Sequence, residues 1–434
     1  MKNLKYKIFA FTLLFSIVVI AQQTPAPKQT KAIAIMGAIA HIGNGTVINN
    51  SCLIIKNGKI ETIANAEQIK IDLKGMEVIN ASGQHIYPGF IAPNSTLGLV
   101  EVDAVRASND LREVGAMNPH IRSLIAYNTE SKVIESMRPN GVLMGQITPR
   151  GGRISGTSSI VQFDAWNWED AVVKEDDGIH MNWPNAYSRG RWWLGEPSNL
   201  KPNKKYNEQV TTLNNYITES KAYNAGNKSP RHLPYEALQG LFNGSKKLYI
   251  HVDDQKGITD AINFSKKNNI KQIVIVGGYQ ANMVTNLLKQ NNVPVLLQRV
   301  HSNSDSDDDN YDATYTLANE LVNAGVLVGL ENAGQMERMN ARNLPFLAGT
   351  CAAYGLSKEQ ALSLITLNTA IILGIDTKVG SLEVGKDATL FISEGDALDM
   401  RTNKLTKAYI QGRDISLESH QTELYKRYSN KYKQ

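Results

Sequence analysis

The 434 residues suffice for one large or two ordinary domains, and 42% hydrophobic with 20% charged residues is the balance of a globular chain. Of the formal charge of +5, Lys2, Lys5 and Lys7 contribute three with no acid beside them, leaving +2 on the rest. So small a charge excludes an electrostatic case for nucleic acid or an anionic membrane, and two cysteines, Cys52 and Cys351, are too few for a disulfide framework and read as buried thiols.

The chain begins MKNLKYKIFAFTLLFSIVVIAQQ, a basic start and an apolar run from about Phe9 to Ala21. That run is shorter than the roughly 20 residues of a bilayer span. It reads as an export signal over 1–21, with the periplasm or the medium as destination and no stable membrane anchor. Residues 22–30 are polar and proline-bearing, a disordered lead-in. Over 31–85 the runs AIAIMGAIAHIG, SCLIIKNGKIETIA and MEVINAS are punctuated by Gly43-Asn44-Gly45 and Asn57-Gly58, which predicts a small antiparallel sheet.

Over 86–375 apolar runs recur: Gly141–Ile147, Ser159–Phe163, Lys247–Val252, Gln272–Val276, Val293–Gln298 and Val326–Leu330. Apolar at nearly every position, they suit a parallel sheet covered on both faces. Helical spacing lies between them at Ile258–Asn268, Ala281–Gln290 and Asp312–Ala324. The alternation predicts an α/β chain with a (β/α)8 TIM-type barrel. Ser357-x-x-Gln360 is a capping box, and its helix should stop near Gly374. Over 376–415, VGSLEVGKDATLFI again reads strand, turn, strand; 416–434 is a C-terminal tail.

Two stretches invite ligand readings. Trp166, Trp168 and Trp183, with Trp192 and Trp193, follow RGGRISGTSSIVQF; they read as a packed cluster beneath long loops or as an aromatic pocket wall over the barrel mouth. The run SNSDSDDDNYD opens like a calcium loop, but Asn310 stands at the glycine position and Thr316 at the closing glutamate. A solvated acidic loop, with Asp309 or Asp312 capping the next helix, fits better. No nucleophile elbow, phosphate loop or dinucleotide fingerprint is present.

The stretch His85–Leu99, HIYPGFIAPNSTLGL, resembles the first barrel strand of the amidohydrolase superfamily, and GLSKEQALSLITLNTAIILGID with VGSLEVGKDA resembles its C-terminal part. The resemblance is nearest to imidazolonepropionase-like members. It implies a barrel beside a small β-sandwich built from both chain ends, and a divalent metal held by strand-end histidines. Laid on that pattern, Ala92 stands at an Asp position, Asn94 and Thr96 replace the His-x-His pair, and Gly277 replaces the sixth-strand His. His251 matches the fifth-strand His; Glu331, Asn332 or Ala333, depending on register, stands at the last-strand Asp position, with Glu331 able to act as a base; and His180 and Asn182 lie nearest the fourth-strand position.

Asn, Thr and Gly offer no anionic oxygen or imidazole, so a metal site on the family plan is not expected. One Zn-type ion in a rearranged site among His251, Asp253, Asp254, His301 and Glu331 is the metal-bearing alternative; no metal is the other. Two functions follow. One is an exported hydrolase of carbon–nitrogen bonds with a reworked site. The other is a non-catalytic protein of the same fold that binds a small molecule, alone or as a homo- or hetero-oligomer with an intact relative.

Overall fold

The computed structural model describes residues 23–433 apart from 192–193, 198, 307 and 335–337. The expected export signal, Trp192, Trp193 and Asp307 lie outside the described residues.

The N-terminal strands are β1 (Ile33–His41), β2 (Val47–Lys56), β3 (Lys59–Asn65), β4 (Glu77–Asn80) and β5 (His85–Pro88). Asn57 and Gly58 both take positive φ, the pair a tight β2–β3 hairpin requires. β1 pairs with β2 antiparallel and with β4 and β5 parallel.

Pro88-Gly89 then carries the chain into a second sheet. Its strands are β6 (Phe90–Ser95), β7 (Val142–Ile147), β8 (Ile154–Gln162) and β9 (Val172–Asn182). A two-strand ribbon follows, β10 (Tyr187–Ser188) and β11 (Lys201–Pro202). The second sheet resumes with β12 (Lys247–Val252), β13 (Ile273–Gly277), β14 (Val295–Gln298) and β15 (Val328–Glu331). These eight strands lie side by side in chain order, β10 and β11 apart, and form a TIM-type barrel.

The third strand departs from the expected all-parallel order. β8 runs antiparallel to both β7 and β9, and Ser159–Phe163 covers only its second half. Only residues 148–153 connect β7 to β8. A parallel neighbour needs a crossover of about a dozen residues or more, so so short a link can only reverse the chain. The barrel closes through an inserted turn: Ile91 N donates to Ile365 O and Leu330 N to Leu364 O, so residues 364–365 bridge β6 and β15.

The last strands, β16 (Leu390–Ser393), β17 (Leu405–Ile410) and β18 (Arg413–Asp414), return to the first sheet. β16 pairs antiparallel with β5, Ile392 opposite Ile86, so both chain ends build one sheet. That sheet is continuous and curls around a core of Ile35, Leu53, Ile55, Leu390 and Tyr409, with Ala34, Cys52 and Ile54 buried in a second cluster, where two facing sheets were expected. Ile60 N donating to Lys386 O and Ala388 N to Gly58 O draw its β3 edge onto the segment that leads into β16.

The helices match their spacing. Gln255–Lys267 and Ala313–Asn323 flank the barrel, and Ala281–Gln290 divides into a 3-10 turn and the helix Thr285–Gln290. The Ser357/Gln360 capping box is formed, but the helix it opens stops at Ser363, and Gly374, with φ 71°, ends a second helix, Leu367–Leu373, where one helix was expected. Asp312 occupies the N-cap position of Ala313–Asn323 but makes no side-chain cap, and Asp309 instead accepts from Tyr279 Oη at 2.7 Å, so neither caps as expected.

Ile91, Met144, Ile160, Val274 and Leu296 fill one end of the barrel interior and meet Ala370, Leu373 and Val379 from the C-terminal segment. Toward the other end the buried interior turns polar: Gln146, Ser158, Asp177 and His180. That change of polarity positions the site. Cys52 and Cys351 are both free and buried.

Candidate functional site at the barrel mouth

Barrel chemistry sits at the C-terminal strand ends. Four strands, β7, β8, β9 and β12, deliver a connected network there. Asp177 on β9 accepts from Ser158 Oγ at 2.8 Å on one oxygen, and from Gln146 Nε2 at 2.8 Å and Tyr249 Oη at 2.7 Å on the other. Ser158 Oγ lies 3.0 Å from His180 Nε2, and His180 Nδ1 lies 2.9 Å from His251 Nε2. The His180 ring stacks on Tyr249 at 4.6 Å, which fixes its plane. A polar chain therefore runs from the interior Asp177 to His251 at the mouth.

β6 ends in a kink. Asn94 has φ 50°, and its amide N donates to Gln146 Oε1 at 3.0 Å. Its carbonyl accepts from Arg150 Nη2 at 2.6 Å. Thr96, just past the strand, is buried in a turn that Leu99 N closes on its carbonyl. Across the mouth, Glu331 at the end of β15 is buried; one oxygen accepts from Ala333 N at 2.7 Å, while Oε1 and Asn94 Oδ1 have no hydrogen-bond partner among the described residues. Asp253 covers Gly277, where a Cβ would overlap its Oδ1. At φ 99°, Gly277→Ala also meets backbone strain, and a loss of about 2 kcal/mol by urea unfolding is expected.

Burial sets the protonation states. It pushes Glu331 up to about 8, against the pull of the nearby Arg150 guanidinium. Burial, then Arg150, pushes His251 down to about 3. Burial, His251 and Arg150 hold His180 well below the usual imidazole range. Burial also lowers Arg150, to about 10, so it stays a cation at neutral pH. The mouth thus presents a fixed guanidinium, a carboxyl that keeps its proton and two neutral imidazoles.

These shifts have opposite linkage. Folded Glu331 holds its proton up to about 8, whereas an unfolded Glu releases it near about 4.3. The folded chain binds more protons in that window, so this group's contribution to stability declines as pH rises through it. His251 does the reverse between about 3 and about 6.5, where the unfolded chain binds more protons and stability rises with pH. Above about 6.5 only the Glu331 slope remains of the two. The urea midpoint should therefore fall between pH 6.5 and 8.5, and Glu331→Gln should flatten that fall.

A cavity of about 1070 Å3 opens above this network, with His251, Asp253, Trp183, Arg153 and Gln298 on its wall. Residues 223–415 match the amidohydrolase family. An imidazolonepropionase of Flavobacterium johnsoniae is 21% identical over 401 residues, covering 85% of this chain and 90% of that protein. A 5'-deoxyadenosine deaminase of Methanobrevibacter smithii is 21% identical over 377 residues, covering 80% of each. The crystal structure of an amidohydrolase from Thermotoga maritima shares the fold with a TM-score of 0.76 at 22% identity, over 88% of this chain and 99% of that one. Over most of its length the chain is similar to the amidohydrolase superfamily.

The side chains at the mouth do not fit the metal that the resemblance implies. Among the described residues, no three His, Cys, Asp or Glu side chains gather in a geometry that could hold an ion. His251 Nε2 is engaged by His180, and His180 Nε2 by Ser158. Arg150, bonded to Asn94 at the first-ligand position, places a fixed positive charge where a divalent cation would be repelled.

Sequence-derived candidates separate in the fold. His251, Asp253 and Glu331 converge on the mouth, and Asp254 caps the helix behind it by accepting from Gly257 N. His301 does not join them: its Nε2 lies 2.6 Å from Thr350 Oγ1, in a groove with Phe346 and Leu398. The tryptophan wall also divides. Trp183 is buried at the mouth, donates to Tyr206 Oη at 3.0 Å and meets Phe264 edge-on. Trp166 and Trp168 follow β8, which runs away from the mouth, and so stand at the opposite end of the barrel. Sequence reasoning missed Arg150, Gln146 and Asp177. The available signal was polar residues inside otherwise apolar strands, such as Gln146 in GVLMGQI.

Proposed function

We propose that this amidohydrolase-fold protein binds a small polar organic molecule at the barrel mouth and does not use the metal-dependent hydrolysis of its fold family. The observation carrying this reading is the half-buried Arg150 guanidinium seated on Asn94 O, a built-in cation at the first-ligand position. The protonated Glu331 and the neutral His251 add a donor and a polarisable ring for orienting a ligand. The basic, apolar leader supports export to the periplasm or the medium. Work as a partner subunit of an intact relative is consistent with a fold kept while the ligand set is changed.

A second reading keeps a hydrolase of carbon–nitrogen bonds in amides or cyclic amides. The similarity to an imidazolonepropionase and a deoxyadenosine deaminase favours it, and the Glu331 carboxyl could protonate a leaving nitrogen. Incubation with linear amides, cyclic imides and dipeptides, with and without chelator, decides between the two. The binding reading expects no turnover and a melting temperature that chelator leaves unchanged. Chelator-sensitive turnover of any of these compounds overturns it.

A further inference from the structure

We infer that a second cavity, at the barrel end opposite the mouth, is a binding site for a small neutral saccharide. The cavity lies between that end of the barrel and the curled sheet and measures about 560 Å3, within the usual range of about 300–1,000 Å3 for small-molecule sites. Trp166 stands on its wall with 64% of its surface exposed. Its backbone is held, because Thr129 Oγ1 donates to its carbonyl at 3.2 Å, and Asn167 caps the short helix that follows. A large indole left in water beside a preformed hollow offers a flat apolar plane with nothing of this chain upon it.

The rest of the wall selects the ligand class. It carries three cations, Lys28, Lys59 and Arg413, and three acids, Asp164, Asp170 and Asp387, so no net charge is favoured. Arg413 is committed to Asp164 at 2.6 Å and Lys59 to Asp387 at 2.9 Å. The side chains of Lys28, Asp170 and Asn57 have no partner among the described residues and supply donors and acceptors to an incoming group. Apart from Trp166, the only apolar wall residues are Ala26 and Ala165, so an aromatic ligand would find one apolar face and a polar remainder. A sugar ring matches both halves: its C–H face covers the indole, and its hydroxyls exchange hydrogen bonds with the carboxylate, amide and ammonium.

The test is calorimetric and fluorimetric titration of the whole protein with cellobiose, maltose and N,N'-diacetylchitobiose. Saturable binding of at least one is expected, with a change in tryptophan emission. Trp166→Ala should weaken it at least tenfold and Asp170→Asn at least threefold. Both side chains are exposed, so an unchanged melting temperature shows that the variants fold. Absence of saturable binding by all three sugars overturns the inference. So does binding that Trp166→Ala leaves intact, which would place the sugar elsewhere.

Discussion

Asp177→Ala is expected to lower the free energy of unfolding by about 3 kcal/mol, the combined cost of stranding two buried donors at roughly 1–3 kcal/mol each. Asp177 is the shared acceptor for Tyr249 Oη, Gln146 Nε2 and Ser158 Oγ. Ser158 has an alternative acceptor in Gly178 O at 3.2 Å. Tyr249 is left without an equivalent, and Gln146 keeps Ser158 Oγ at 3.2 Å for only one of its two N–H groups, in an environment where burial already pushes the Tyr249 hydroxyl well above its usual range. Adding Tyr249→Phe removes one stranded donor, so the double variant should lose less than the sum of the two single changes. Urea unfolding of the four proteins reads both the loss and the coupling. Strict additivity would show that Asp177 and Tyr249 are not partners in solution.

The second large effect belongs to Arg150. Arg150→Met removes a charged hydrogen bond to Asn94 O, a loss of about 2 kcal/mol. It also removes the positive field that depresses His251 and His180 and opposes the rise of Glu331. The imidazole pKa values should therefore move up, and so should that of Glu331. NMR titration of the histidine ring protons measures the first shift directly. A packing-only role for Arg150 would change stability and leave those titrations in place. Asn94→His with Thr96→His in the Arg150→Met background should raise zinc affinity above that of the same pair with Arg150 present, because the competing cation is gone.

Much of the fold could be read from residue patterns, and the exceptions have specific causes. Runs such as KLYIHV and VLVGL are apolar at most positions because both sides of a barrel strand are covered, one by the interior and one by helices. The same burial hid the direction of β8, since an antiparallel strand covered on both faces reads as apolar as a parallel one. The first half of β8, Ile154–Ser158, is rich in Gly, Ser and Thr and carries no apolar run that marks it as strand. Had it been read as strand, the short link 148–153 would have required the reversal. That reversal is also why Trp166 was assigned to the mouth and lies at the far end.

At the site, His251 and Glu331 were legible as polar residues closing apolar strands. Arg150 was not, because a basic residue beside two glycines reads as a solvated loop. Only the closing of β7 onto β6 draws it against Asn94 O. Asp177 was hidden in the charged run KEDDG, where nothing separates the one carboxylate that turns inward from its solvated neighbours.

The central claim is that a fixed guanidinium has taken the place of a bound metal at the barrel mouth. Elemental analysis of the freshly isolated protein, followed by calorimetric titration with zinc, tests it most directly. Transition metal far below stoichiometric amounts and no tight zinc binding at the mouth are expected. A stoichiometric, tightly held transition metal that His251→Ala releases would contradict it.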